Sequence, residues 1–535
     1  MRCVTKVSSL LLCSTLAVAQ QAPDAHPCAA GKLASLERSR AALAAIPAPH
    51  VEDFSDTDVL RHELDLELNP ASTWVEGHAT LTIRSQVDDL ASFIFRLRDV
   101  YTITAMQVSG NSVAWTRLDS ANVEATLDRP YDTGEVFNLY IVYSGYPQPS
   151  GMFGGIFFLW RGSVPEVFTF AEPWFAYAWR PVKEDLTDKY TLDLWVTVPE
   201  TMIVASNGLL QSIVPVPPGR SQYRWYTNNP IADYLVSLAA TNYHEFTDTW
   251  TYDGQSLPLQ FFIYPEHDTP AHRAEWLVVQ PALTVFSDLF GIYPFMNEKY
   301  GMAEWAGGGA MEHQTMTSVG AFFGWGESIY VHELAHHWWG DDVTCATWHD
   351  IWLNEGFATY CEALWYENQP GSPGEPWLHM YMDYARPFNA AGTVYCYDIT
   401  NPIRILDTDL SYRKGAWVLH MLRHVLGDAD FYASLAAYRD AFQGSAATTD
   451  DFRAVCESVA GRDLAWFFDE WVYDGGAPVY QSGWRQFTAE GQRYVELYIY
   501  QGQSIGPPVF TMPVDIQVDQ DGNSTIHVVL NDAVF

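Results

Sequence analysis

The chain has 535 residues, of which 48% are hydrophobic, 15% aromatic and 18% charged. That is enough apolar material for several buried cores, and it excludes a disordered, collagen-like or low-complexity chain. The 29 basic and 65 acidic residues leave a net charge of −36, a surface that repels phosphate backbones and argues against nucleic acid as a partner. The acid excess reads first as solubility and self-repulsion, and second as a pull on cationic ligands.

In chain order, the first element is a processing segment. Residues 1–19 read MRCVTKVSSLLLCSTLAVA. Arg2 and Lys6 form a basic start, an apolar stretch follows, and Ala17-Val18-Ala19 is a small-x-small cleavage site before Gln20. The expectation is a signal peptide on an exported protein, periplasmic or secreted. Leu12 precedes Cys13 where a lipoprotein would carry a small residue. No later run reaches the ~18 apolar residues of a membrane helix, so no membrane span is expected. Cleavage leaves Cys28, Cys345, Cys361, Cys396 and Cys456. They contain no C-x-x-C pair, and an odd number leaves at least one thiol over. Cys345, Cys361 and Cys396 are the ones expected to fall in one domain, and their pairing stays open.

A polar segment spans 20–52. From 53 to 245 the sequence alternates with period two, as in His62-Glu-Leu-Asp-Leu-Glu-Leu68, Ala79-Thr-Leu-Thr-Ile83 and Tyr190-Thr-Leu-Asp-Leu-Trp-Val196, which predicts half-buried antiparallel strands. Turn residues at Ser109-Gly-Asn, Ser206-Asn-Gly208 and Pro217-Pro-Gly219 punctuate them. An all-β N-terminal domain follows. Between 246 and 473 the period lengthens to 3.6, predicting helices at 272–290, 328–340, 352–368, 413–426, 430–442 and 450–459; Gly427 reads as a C-cap with His424 in the last turn. Strands resume at 479–487, 493–501, 510–518 and 525–530, with an Asp521-Gly522 turn. The region 474–535 reads as a small β-sandwich-like domain. The fold class is therefore multidomain α+β, with a mainly helical domain in the middle.

The helical region contains His332-Glu-Leu-Ala-His336. Histidines at i and i+4 project from one helix face, a separation that lets two imidazoles bind one Zn²⁺ at ≈ 2.0–2.1 Å. Glu333 lies about 100° round the helix and is aimed at a water beside the ion rather than at the ion. Chance produces such a pattern in roughly one chain of this composition in 40, so further features must carry the reading. A catalytic site needs a third ligand and an open position, and Glu355 stands in a second helical segment, Ile351-Trp-Leu-Asn-Glu-Gly-Phe357. Tyr330, Leu334, Trp338 and Trp339 surround the first motif with bulky apolar groups, so its polar residues need buried partners. Asp350, Asn354 and Thr359 are nearby candidates for orienting the ligands.

The run HELAHHWWG, followed after 18 intervening residues by Glu355 in WLNEGFA, resembles the gluzincin zinc aminopeptidases of the aminopeptidase N type. Gly309-Ala310-Met311-Glu312 looks like that family's exopeptidase motif, Tyr412-Arg-Lys-Gly-Ala416 like the segment with its catalytic tyrosine, and Phe170-Ala-Glu-Pro173 with Arg180 and Asp185 like its substrate-amine segment. The resemblance covers most of residues 57–535 and implies a thermolysin-like catalytic domain with one Zn²⁺ per chain on His332, His336 and Glu355. It implies Glu333 as general base and Tyr412 as oxyanion stabiliser. Glu312, Glu172, Gly309 and Ala310 are implied to bind peptides with a free N-terminus. Two departures stand out. His313 occupies the position where the family has Asn; it is not expected to be a zinc ligand, because three ligands already fill the set. Many relatives carry a large helical C-terminal domain after such β structure; this sequence ends with the β region, from which a more open site, or a lid supplied by a partner or a further segment, is expected. Aromatics near the motifs (Trp305, Phe322, Phe323, Trp325) suggest an apolar or aromatic N-terminal side chain. The resemblance admits two rivals, a family-related epoxide hydrolase and a catalytically silent binding protein on the same fold.

Overall fold

The structure, a computed structural model, describes residues 55–147, 154–322, 325–520 and 523–531. The expected signal peptide, the polar segment, Cys28, Phe323 and the Asp521-Gly522 turn lie outside these residues.

Alternation becomes strand wherever one face is buried. Thr57–Asn69 buries Leu64, Leu66 and Leu68 completely and pairs antiparallel with Trp74–Ser85 and parallel with Tyr190–Pro199. These are the centre of an eight-stranded sheet. A four-stranded sheet orders Ile203–Ser206, Leu238–Thr241, Val164–Phe170 and Gly155–Arg161. It delivers Phe170, and two residues later Glu172, toward the middle of the molecule. The turns at Ser109, Gly208 and Gly219 fall between strands as expected, each with positive φ.

Past Thr241 the chain changes sheet. His244–Tyr252, Gln255–Ile263, Tyr300–Gly308, Thr317–Phe322 and Ala310–Met311 form a five-stranded sheet in that order, with two parallel pairs in its interior. Helices α1 (Pro270–Trp276) and α2 (Val279–Phe290) lie between its Gln255–Ile263 and Tyr300–Gly308 strands, and α3 (Glu327–His336), α4 (Trp352–Asn368), α5 (Glu375–Tyr384), α6 (Gly415–Leu426), α7 (Asp428–Phe442) and α8 (Thr449–Ala460) follow. α4 packs against α3, α5 and α6. The helix expected at 272–290 is broken at Leu277–Val278. The one expected at 328–340 stops at His336, because His337–Gly340 turns back to bring Asp341 N–H to the His336 carbonyl. The one expected at 413–426 begins earlier, as a π-helical turn over Thr408–Lys414.

The C-terminal strands Tyr480–Ala489 and Gln492–Gln501 pair with each other, as do Met512–Gln520 and Asn523–Asn531. They form two hairpins. One apolar cluster runs through the molecule from Val59 to Met512. No helix among the described residues is long and apolar enough to cross a membrane.

Candidate metal centre

His332 and His336 lie one turn apart on α3, both fully buried, with ring centres 4.7 Å apart. Their Nε2 atoms are 3.1 Å from each other, and each is 3.3 Å from Glu355 Oε2, one turn into α4. Tetrahedral bonds of ≈ 2.0–2.1 Å put ligand atoms about 3.3 Å apart, so these three atoms fit a zinc ion without rearrangement. Outer partners assign the imidazole protons. His336 Nδ1 is 3.1 Å from the Trp339 carbonyl, which can only accept. His332 Nδ1 is 2.8 Å from Glu362 Oε1, and Glu362 Oε2 accepts from the Tyr381 hydroxyl. Both Nε2 lone pairs therefore face the triangle. Burial alone would lower the His332 imidazole. Hydrogen bonds to Glu355 and Glu362 and the charges of Glu362 and Glu333 outweigh burial and raise it to about 10.

Tyr412 comes from the π-helical turn before α6, and its hydroxyl donates to Glu355 Oε1 at 2.7 Å. Its ring lies nearly parallel to that of His332, centre to centre 6.0 Å. The approach depends on two glycines. A Cβ on Gly356 would sit 2.9 Å from the Gly415 backbone, so α4 and α6 can touch at this level only without side chains.

Ligand atoms of Glu312, Glu333 and His336 lie within 4.8 Å of one another, and so do those of Glu172, Glu312 and Glu355. All five residues are buried. Gly309, at φ +79°, and Ala310 lead into Glu312, with the Gly309 carbonyl accepting from Gly320 N–H at 2.8 Å. His313 points elsewhere. Its Nδ1 is 2.8 Å from Ser318 Oγ, its ring meets Phe170 edge-on, and it belongs to none of the candidate metal groups among the described residues.

Other expected residues serve the frame. Arg180 is buried on Asp233, Tyr190 and His62, and Asp185 caps its own turn at Thr187. Asn354 ties the Cys345 N–H to the Tyr234 hydroxyl, Thr359 bonds the Glu355 carbonyl, and Asp350 accepts from Thr449. The ligand-orienting role expected near them falls to Glu362, seven residues after Glu355 and on the same face of α4. The four described cysteines are free and buried. A separate cavity of about 440 Å³ lies between α5, α6 and the Met512–Gln520 strand, lined by His379, His420, Arg423, His424 and Asp515 among others. It contains none of the motif residues.

Residues 324–471 match the peptidase family M1 domain. The chain is 30% identical over 322 residues to aminopeptidase N of Streptomyces lividans, covering 54% of this chain and 36% of that protein. It is 25% identical over 324 residues to glutamyl aminopeptidase of Rattus norvegicus, covering 56% and 33%. The chain thus spans about a third of the length of these curated relatives. Among solved structures, an M1 zinc metallopeptidase variant from Deinococcus radiodurans superposes with a TM-score of 0.68 at 28% identity over 78% of this chain and 94% of that one. A second structure of that metallopeptidase, bound to a Tyr-Ser-Ala substrate, superposes with a TM-score of 0.66 at 27% identity over the same shares.

Proposed function

We propose that this chain, whose residues 324–471 match the peptidase family M1 domain, is a zinc-dependent aminopeptidase of the aminopeptidase N type that releases N-terminal residues from peptides. The observation that carries this reading is the meeting of two groups at one point. A three-atom ligand triangle of His332, His336 and Glu355 stands against a buried acidic end built by Glu172 and Glu312.

Zinc, when bound by His332, His336 and Glu355, supplies Lewis acidity to the scissile carbonyl and acidifies a water toward a pKa of ≈ 7. Glu333, within 4.8 Å of His336 and Glu312, is the carboxylate that would take a proton from the attacking water and return it to the departing amine. Tyr412 donates its hydroxyl to the oxygen that becomes negative; at 2.7 Å from Glu355 Oε1 it already lies beside the ligand triangle. Glu312 and Glu172 receive the substrate ammonium. A charge pair in this dry setting is worth several times its value in water, and it fixes the register so that only the first peptide bond lies over the ligands. A blocked N-terminus would leave those carboxylates buried without a cation, which is costly.

The test compares a chromogenic amino-acid amide bearing a free amine with its N-acetylated form. Hydrolysis of the first alone is expected; equal turnover of both would reject the exopeptidase reading. We also take the protein to be exported, on residues 1–19, with Gln20 expected as the first residue on N-terminal sequencing of protein recovered from its native host.

A further inference from the structure

Glu312 is followed by a turn that its own sequence disfavours. Met316 N–H donates to the His313 carbonyl at 2.9 Å, closing a four-residue turn between the Ala310–Met311 and Thr317–Phe322 strands. At its third position Thr315 has φ +61°, where the turn calls for glycine or asparagine and where a β-branched side chain is an outlier. Thr73, at φ +57°, shares the conformation but is exposed on a surface hairpin. Thr315 is fully buried. Backbone in such a state persists only where its surroundings over-determine it.

The surroundings are specific. Gly208 N–H donates to Thr315 Oγ1 at 2.8 Å, and Asn207 Nδ2 donates to the Gln314 carbonyl at 2.7 Å. Lys299 Nζ donates to the Thr315 carbonyl at 3.0 Å and to the Ser206 carbonyl at 3.1 Å, binding both sides of the contact together. Asn207, Lys299 and Gln314 are buried as well. The turn after the four-stranded sheet's Ile203–Ser206 strand therefore grips the turn after Glu312, and among the described residues the threonine hydroxyl, which also lies 3.4 Å from Lys299 Nζ, is the side-chain atom of the grip on the Glu312 side.

We propose that Thr315 is a positioning residue for the substrate amine: its hydroxyl, held by Gly208, locks the turn so that the Glu312 carboxylate meets Glu172. The inference rests on the reading of Glu312 as an amine site. Thr315 touches no substrate itself. Losing the hydroxyl should loosen the amine end while leaving the ligand triangle on α3 and α4 intact.

Thr315→Val keeps the shape and removes the acceptor, whereas Thr315→Ser keeps the acceptor. For Thr315→Val, KM for a free-amine amide should rise about tenfold, a loss of roughly 1.4 kcal/mol, with kcat within about twofold and zinc content unchanged. By calorimetry the variant should bind a hydroxamate bearing an α-amine more weakly, yet bind the desamino hydroxamate as the wild type does. Thr315→Ser should behave as wild type. If the valine variant does not fold, Asn207→Ala should give the same split. A folded variant with unmoved KM, or one losing both hydroxamates equally, overturns the assignment of Thr315. A wild type that hydrolyses free and acetylated amides alike overturns the amine site and the inference with it. A discriminating wild type with unmoved variants overturns the inference alone.

Discussion

Tyr412 and Glu355 share a hydrogen bond of 2.7 Å, and that bond makes a separable prediction. The tyrosine is buried on His332 and Glu355, so Tyr412→Phe changes no volume that matters and removes one donor. An oxyanion donor is worth about 2.7–4 kcal/mol; kcat should fall roughly 10²–10³-fold with KM little changed, read by steady-state kinetics on a free-amine amide. The outer partner behaves differently. Glu362 holds the His332 Nδ1 proton, and outer partners of this kind govern metal affinity by 10–100-fold. Glu362→Gln should therefore lose zinc to a competing chelator about 10–100 times more readily, while the metal-loaded variant keeps much of its kcat. The histidine pair is legible in sequence because helix geometry puts i and i+4 on one face, whereas Glu355 is legible only through the need for a third ligand and the resemblance of its spacing to the family's. Glu362 is not legible, because its relevance appears only once α4 is known to lie against α3. Arg180 and Asp185 were carried in with a motif, yet they face the scaffold: Arg180 is used up on Asp233 and Tyr190.

At the scale of elements, legibility follows solvent. Strands with one wet face alternate in sequence as they do in burial, as in Trp74–Ser85, whose burial alternates along its length. Tyr300–Gly308 carried no such signal, because all but one of its residues are buried, as expected for a strand paired in parallel on both sides. The π-helical turn before α6 was also invisible, since its hydrogen-bond register has no sequence period, yet it is the element that aims Tyr412. α6 carries a testable pH effect of its own. Burial, then the charges of His379, Arg423 and His424, push the His420 imidazole down to about 3. Glu367, Glu375, Asp428 and Asp515 also line its cavity. In the unfolded chain it titrates near 6.5. Below that value the unfolded state binds the extra proton, so the contribution is full above pH ~6.5 and is lost as pH falls toward 3. By pH 5 the loss is on the order of 1–2 kcal/mol. Urea unfolding at pH 7 and pH 5 should register it, and His420→Gln should shrink the difference between the two.

At the scale of the molecule, the candidate site is a joint between regions that the sequence presents as separate texts. Glu172 arrives from the N-terminal sheets, Glu312 from the five-stranded sheet, and the ligand triangle from α3 and α4. The joint is sewn by polar groups. Lys189 donates to the carbonyls of Asp341 and Asp342 just past α3, at 2.8 and 2.9 Å. Asn354 of α4 donates to Tyr234 at 3.1 Å, and Lys299 reaches Ser206. The Asn354 and Lys299 contacts are buried and the Lys189 ones half-buried, so unfolding either side strips the other of hydrogen-bond partners. Residues 55–473 are therefore expected to melt as one cooperative unit despite their length. Zinc bound only by the native state adds RT ln(1 + [L]/Kd), about 4 kcal/mol when free zinc is a thousandfold above its Kd. Because the ligand triangle of His332, His336 and Glu355 lies at the joint, chelation should lower one common midpoint rather than release the helical region first. Near-ultraviolet circular dichroism and calorimetry on holo and chelated protein measure this directly. Two resolved transitions, with only the second indifferent to chelator, would mean that the polar seam does not couple the regions and that each carries its own stability.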